Sequence, residues 1–178
     1  MKSGSISDGR APVCRSMEQR DLDGVMLLAA SATEIQTGTS SPQFWDKEAL
    51  AKWATSELGV LLVCEVDGRL GGFIIAAYNP ISRDGYIHCI VVSSQCRRSG
   101  IGETLLARAE KELISRGCNH MFGLVKPKNE ASIRLLEKRS FSRGQQFVYW
   151  EKSESRDRDE AKDVRSRKAR NTKEASSK

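Results

Sequence analysis

Apolar residues along the chain alternate between a helical and a strand-like spacing, and the switches divide it into ten segments. Residues 13–17 read as a short strand. Residues 21–33 follow as a helix, because Leu22, Val25, Met26 and Ala29 recur at three- and four-residue intervals. Ser41-Pro42 breaks the chain, and 44–56 reads as a second helix. An apolar run at 60–66 ends at Asp67-Gly68, a dipeptide suited to a two-residue hairpin turn, and 70–78 returns as its partner up to Asn79-Pro80. A strand at 86–92 runs into a glycine-bearing loop and then a helix at 101–116. There Ile101, Leu105, Ala109 and Leu113 share one face, and Gly117 is placed to end the helix. Residues 121–125 read as a strand, 130–138 as a helix capped by Asn129, and 147–150 as a last strand. The order is β-α-α-β-β-β-α-β-α-β, a single α/β (α+β) domain over residues 11–152, with 1–10 and 153–178 expected to be disordered.

The loop between the 86–92 strand and the long helix is Arg97-Arg98-Ser99-Gly100-Ile101-Gly102. A loop at a helix N-terminus presents unpaired backbone N–H groups at the positive end of the helix dipole, which suits an anion. Glycines at 100 and 102 let a ligand approach the main chain without meeting a Cβ. The loop therefore reads as a phosphate or pyrophosphate site, with a basic turn that only caps a helix as the alternative. A P-loop would need Gly-Lys-Ser/Thr, which is absent, and a dinucleotide fingerprint would need a third glycine where Leu105 stands.

What remains is Arg-x-x-Gly-x-Gly between a strand and a long helix. In this element order it resembles the coenzyme A signature of the GNAT superfamily, the Gcn5-related N-acetyltransferases, and among them small prokaryotic members and protein N-terminal (ribosomal-protein alanine type) acetyltransferases. The resemblance spans about residues 11–152. It is carried by VCEVDGRLGGFIIAAY, IVVSSQCRRSGIGETLLARAEKELISRGC and NEASIRLLEKRSF. It implies a mixed central sheet of about six to seven strands flanked by four helices, and acetyl-CoA as co-substrate. It implies that the main chain of Ile90, Val91 and Val92 pairs with the pantetheine arm. Arg97, Arg98, Ser99, Gly100, Ile101 and Gly102 would hold the pyrophosphate, and Asn129 would contact the cofactor arm, besides capping its helix. The reaction implied is acetyl transfer to a primary amine, either a peptide N-terminus or a small amine.

Tyr86 stands where several members of the superfamily place a glutamate base, and His88 lies two residues on, so both side chains share a strand face. A tyrosine with a pKa near 10 orders a water or orients the amine; a histidine near 6.5 accepts a proton more readily. Core packing is the competing reading for both, and His120 reads as structural. The tyrosine that protonates the leaving thiolate in many members aligns with Leu136, so that acid is missing, with water or Tyr149 as substitutes. Leu136 keeps a second reading open: a non-catalytic acyl-CoA-binding module with a basic tail for RNA or protein partners.

Composition constrains the setting. The 178 residues carry a net charge of +6, of which the segment from Lys152 onward, with ten basic and six acidic residues, supplies +4. An RNA or ribosome contact is one reading of that tail. A solvated mixed-charge tail is the preferred one, since Asp157, Asp159, Glu160 and Asp163 interrupt the basic runs. No apolar run reaches the roughly 20 residues of a spanning helix, and Met1 to Arg10 lacks a signal-peptide core. The two histidines and five cysteines show no ligand spacing, so no metal is expected. Cys14, Cys64 and Cys89 lie in apolar runs and read as small core residues, consistent with a reducing cytoplasm. Residues 34–44, polar and glycine-bearing, read as a substrate loop, and Trp45 and Trp53 as core rather than an aromatic cage. Nothing in the pattern sets an oligomeric state.

Overall fold

A computed structural model describes residues 11–32, 45–146, 148 and 150. One compact unit comprises 1–35 with 44–143; the other, 36–43 with 144–178, has no regular secondary structure at its described residues. The first unit runs β1 (Val13–Ser16), α1 (Leu22–Ala30), α2 (Lys47–Ala54), β2 (Gly59–Val66), β3 (Arg69–Asn79), β4 (Asp84–Val92), α3 (Ile101–Ser115), β5 (His120–Gly123) and α4 (Glu130–Lys138). Single-turn 3₁₀ helices precede α1 and α3.

The strands form one sheet in the order β1-β2-β3-β4-β5. The first four are antiparallel and β5 is parallel to β4. The sheet is mixed, as expected, and four helices accompany it, but the described residues contain five strands rather than six to seven. Of the expected last strand, Phe147 and Tyr149 lie outside the described residues, and Val148 and Trp150 are exposed and not in a strand. The stretch before them, Ser142 to Gln146, offers no apolar side chain to seat on a sheet. The expected terminal segments and the 34–44 loop also lie outside the described residues.

β2 and β3 are buried on both faces, which is why their sequences are near-continuous apolar runs rather than alternating ones. Leu61, Val63, Phe73, Ile75, Cys89 and Val91 face α1 and α2 through Leu22, Val25, Ala29 and Leu50. Val60, Leu62, Ile74, Ala76 and Ile87 face α3 through Ile101, Leu105, Leu106, Ala109 and Leu113. The apolar stripe expected on α3 is the one that is buried.

Cys14 and Cys64 require a correction. They sit directly opposite each other in the β1–β2 pair, with Cα atoms 4.0 Å apart, and form a disulfide. Cys89, Cys96 and Cys118 are free. Disulfides persist mainly in oxidising compartments, so the cysteine argument for a reducing cytoplasm no longer holds. No helix among the described residues is long and apolar enough to cross a membrane.

Candidate active site

β4 has two different edges. Along one it pairs with β3 from Asp84 to Val92, passing over His88. Along the other it pairs with β5 only from Asp84↔His120 to Ile87↔Gly123. There β5 stops: Gly123 approaches so closely that a Cβ would lie 3.1 Å from the Ile87 carbonyl oxygen, and Pro127 follows, lacking a ladder N–H. Among the described residues, 88–92 thus have no strand on their outer side. Val91 is buried toward α1 and α2, while Ile90 and Val92 pack toward α3. All three therefore turn side chains to the two cores and leave main chain at the open edge.

The open edge leads into the glycine loop. Ser93 N–H donates to the Gly71 carbonyl at 2.9 Å, tying the loop to β3, and Ser99 Oγ donates to the Cys96 carbonyl. Arg98 and Gly100 both adopt positive φ, 65° and 83°, so the chain doubles back before α3. Gly100 is the N-cap; it carries no side-chain cap, and nothing lies within 4 Å of where its Cβ would be. The first N–H groups of α3, from Ile101, Gly102 and Glu103, have no intrahelical acceptor. A Cβ at Gly102 would meet Leu135 and Val92 at 3.4 and 3.6 Å, ordinary contact distances, so this glycine stands where α4 and β4 approach the start of α3. Arg97 and Arg98 are exposed and make no ion pair among the described residues. Glu103, the one acid in the first turn of α3, is held by Lys138 Nζ at 2.6 Å. The loop is thus anion-ready: N–H groups, two unpaired guanidiniums and a neutralised carboxylate. Asn129 caps α4, its side-chain oxygen accepting from Ser132 N–H at 3.2 Å, which leaves its amide NH2 for another partner.

Tyr86 and His88 lie together as expected, ring centroids 4.2 Å apart. A feature not read from the sequence fixes His88. The β3–β4 register shifts so that Ile75 faces Cys89 and Ala76 faces Ile87, leaving His88 as a bulge with no partner in β3. Consecutive side chains, His88 and Cys89, then fall on the α1–α2 side. Trp45 and Trp53 meet His88 edge-on at 5.4 and 4.9 Å, and Phe122 lies 5.0 Å from Tyr86. Both tryptophans pack on the core as expected, but they also wall in His88. Their eight-residue spacing was the available signal; their convergence on β4 is tertiary.

Burial pushes the His88 pKa down to about 4, so the ring is a neutral acceptor near neutral pH. An unfolded histidine takes its proton near 6.5, so between pH 6.5 and 4 the unfolded chain binds more protons than the native one. His88 therefore costs no stability above pH 6.5 and progressively more as pH falls toward 4. A full shift would amount to about 3 kcal/mol, and partial solvent access reduces this to about 1–2 kcal/mol. His88→Phe is expected to remove that part of the acid sensitivity, measured by urea unfolding at pH 7 and pH 4.5. Equal losses in both proteins would disprove the assignment.

Leu136 packs half-buried against the α3-side cluster with Leu135 and Phe141, so the position where many members carry a tyrosine acid serves packing here. His120 is structural too, its Nδ1 3.1 Å from Asp84 Oδ1. Among the described residues no group of three or more His, Cys, Asp or Glu side chains is placed to hold a metal.

The family model for the acetyltransferase (GNAT) family matches residues 29–141. The chain belongs to that family. An acetyltransferase of Photorhabdus laumondii is 34% identical over 99 residues, covering 55% of this chain and 68% of that protein. Among solved structures, a ribosomal-protein-alanine N-acetyltransferase from Brucella melitensis aligns at 23% identity and TM-score 0.63, over 73% and 84% of the two chains. The aminoglycoside acetyltransferase AAC(6')-Iy, solved with a CoA-containing bisubstrate analogue, aligns at 18% and TM-score 0.63, over 80% and 98%. These structures share the GNAT fold. Membership makes the chain an acetyltransferase and decides between the two readings that Leu136 had left open in favour of the enzyme.

Proposed function

We propose that this GNAT enzyme transfers an acetyl group from acetyl-CoA directly to a primary amine, with the cofactor held along the open edge of β4. The observation that carries the reading is the continuity of that edge, unpaired over residues 88–92 among the described residues, with the uncapped start of α3. The main chain of Ile90, Val91 and Val92 pairs with the pantetheine arm. The N–H groups at Gly100, Ile101 and Gly102, with Ser99 and the guanidiniums of Arg97 and Arg98, receive the pyrophosphate. The Asn129 amide donates to the arm. When bound, acetyl-CoA supplies the activated acyl carbon and a thiol leaving group.

An arm starting at the loop and following β4 reaches its end near His88, where β5 begins to pair. The amine arrives on the Tyr86 and His88 side. It must be neutral to attack, which favours an amine of pKa about 8 over a lysine near 10.4. Neutral His88 accepts an N–H hydrogen bond and orients the nitrogen. Its depressed pKa makes it a way-station, so the proton passes on through Tyr86-ordered water. With Leu136 in place of an acid, the leaving thiolate, of pKa about 8.5, takes its proton from water.

The test is calorimetric titration with acetyl-CoA, followed by CoA-thiol release with a panel of primary amines. Micromolar binding with amine-dependent release is expected. A folded protein that binds no acetyl-CoA would sink the proposal.

A further inference from the structure

Handling one proton does not require three aromatic neighbours, yet His88 has Trp45, Trp53 and Tyr86 around it, with Phe122 beyond against Tyr86. Trp45 stands just before α2, Trp53 in it, Tyr86 in β4 and Phe122 in β5, and the rings converge on the side of β4 where the acetyl group would end. None is fully buried; Phe122 is 42% exposed. The cluster keeps ring surface open beside the proposed reaction site.

Resting on the reading of acetyl-CoA along β4, we infer that this ring cluster is an acceptor subsite for a primary amine carrying a large apolar or aromatic group within a bond or two of its nitrogen. Planar rings bury such a group with favourable edge and offset contacts and little loss of side-chain freedom. Among the described residues no carboxylate joins the cluster. Asp46, beside Trp45, is engaged in capping α2 by accepting from Ala49 N–H, and Asp84 faces His120. The half-buried His88 imidazole is uncharged near neutral pH. A polycationic amino sugar therefore finds no free counter-charge among the described residues of the subsite. An amine flanked by an apolar group matches it. That chemistry has two sources: the first residue of a polypeptide and a free amino compound.

The experiment measures kcat/KM of the full chain for phenylalanine amide, glycine amide, neamine, and short peptides beginning with Phe or Gly. Phenylalanine amide is expected to exceed glycine amide at least tenfold, and neamine to be poorer than both. In Phe122→Ala, whose side chain is the most exposed of the set, and in Trp53→Leu, each checked for folding by circular dichroism, that ratio is expected to fall below threefold. A Phe peptide outpacing phenylalanine amide would assign the polypeptide source, and the reverse the free compound. A ratio near one, a preference for neamine, or a ratio unchanged in both variants would overturn the inference. So would acetyl-CoA binding without turnover of any of these amines. Failure of the folded protein to bind acetyl-CoA would overturn the parent reading instead.

Discussion

Gly100→Val is expected to weaken acetyl-CoA binding by about 100-fold or more, while lowering the melting temperature by only about 3–8 °C. The two effects have separate origins. Gly100 sits at φ 83°, where an L-residue is disfavoured by about 1–2 kcal/mol, and that backbone strain is the main cost to the fold, because among the described residues nothing beyond the chain neighbours lies within 4 Å of the new Cβ. The open space is where the diphosphate would approach the N–H groups of α3, so a branched side chain there excludes the ligand. A loss of 100-fold corresponds to about 2.7 kcal/mol, more than the strain alone accounts for. Gly68→Val is the internal control. Gly68 has φ 72° and equally open surroundings, but it lies in the β2–β3 turn. It should show a similar thermal loss and normal binding. Calorimetry on both variants decides the matter: binding retained at position 100, or lost equally at 68, would refute the assigned cradle.

Gly72→Ala is expected to damage the fold and the site together. A Cβ at 72 would lie 2.7 Å from the Val91 carbonyl oxygen and 3.0 Å from Ile101 Cγ2. Neither can yield cheaply. The first is main chain of β4; the second belongs to the fully buried first residue of α3. One added methyl therefore pries α3 from the sheet at the point where its N-terminus is aimed at the ligand. Overpacking of this kind costs about 1–3 kcal/mol. Denaturant unfolding should show that loss, and acetyl-CoA affinity should fall at least tenfold although residue 72 touches no ligand. Normal affinity in a destabilised protein would mean that the loop holds its geometry independently of β3.

Much of this was legible in local sequence because local physics decides it. Asp67-Gly68 specifies the β2–β3 turn, and both residues adopt positive φ. The Ile101, Leu105, Ala109 and Leu113 stripe specifies which side of α3 is buried. Asn129 was recognisable as a cap and is one. The helices before the sheet proved shorter than their apolar pattern: 22–30 rather than 21–33, and 47–54 rather than 44–56. β5 began one residue earlier and ended two residues sooner than its apolar run, because the close approach at Gly123 and then Pro127 stop the pairing. The disulfide was missed because it depends on the β1–β2 register, which places Cys14 against Cys64 across 50 residues of chain. The aromatic wall depends on where α2 lands on the sheet, which spacing within α2 does not tell.

The bulge in β4 has a consequence for how the site relates to the scaffold. Ile87 faces Ala76 and Cys89 faces Ile75, adjacent residues on β3. The ladder on either side of His88 would therefore still match if position 88 were absent altogether. His88 is surplus to the weave: an inserted residue that carries chemistry without holding a thread. The sheet can therefore gain, lose or change the group at this point while every neighbouring strand keeps its register. Elsewhere in β4 an insertion or deletion would turn the two cores inside out.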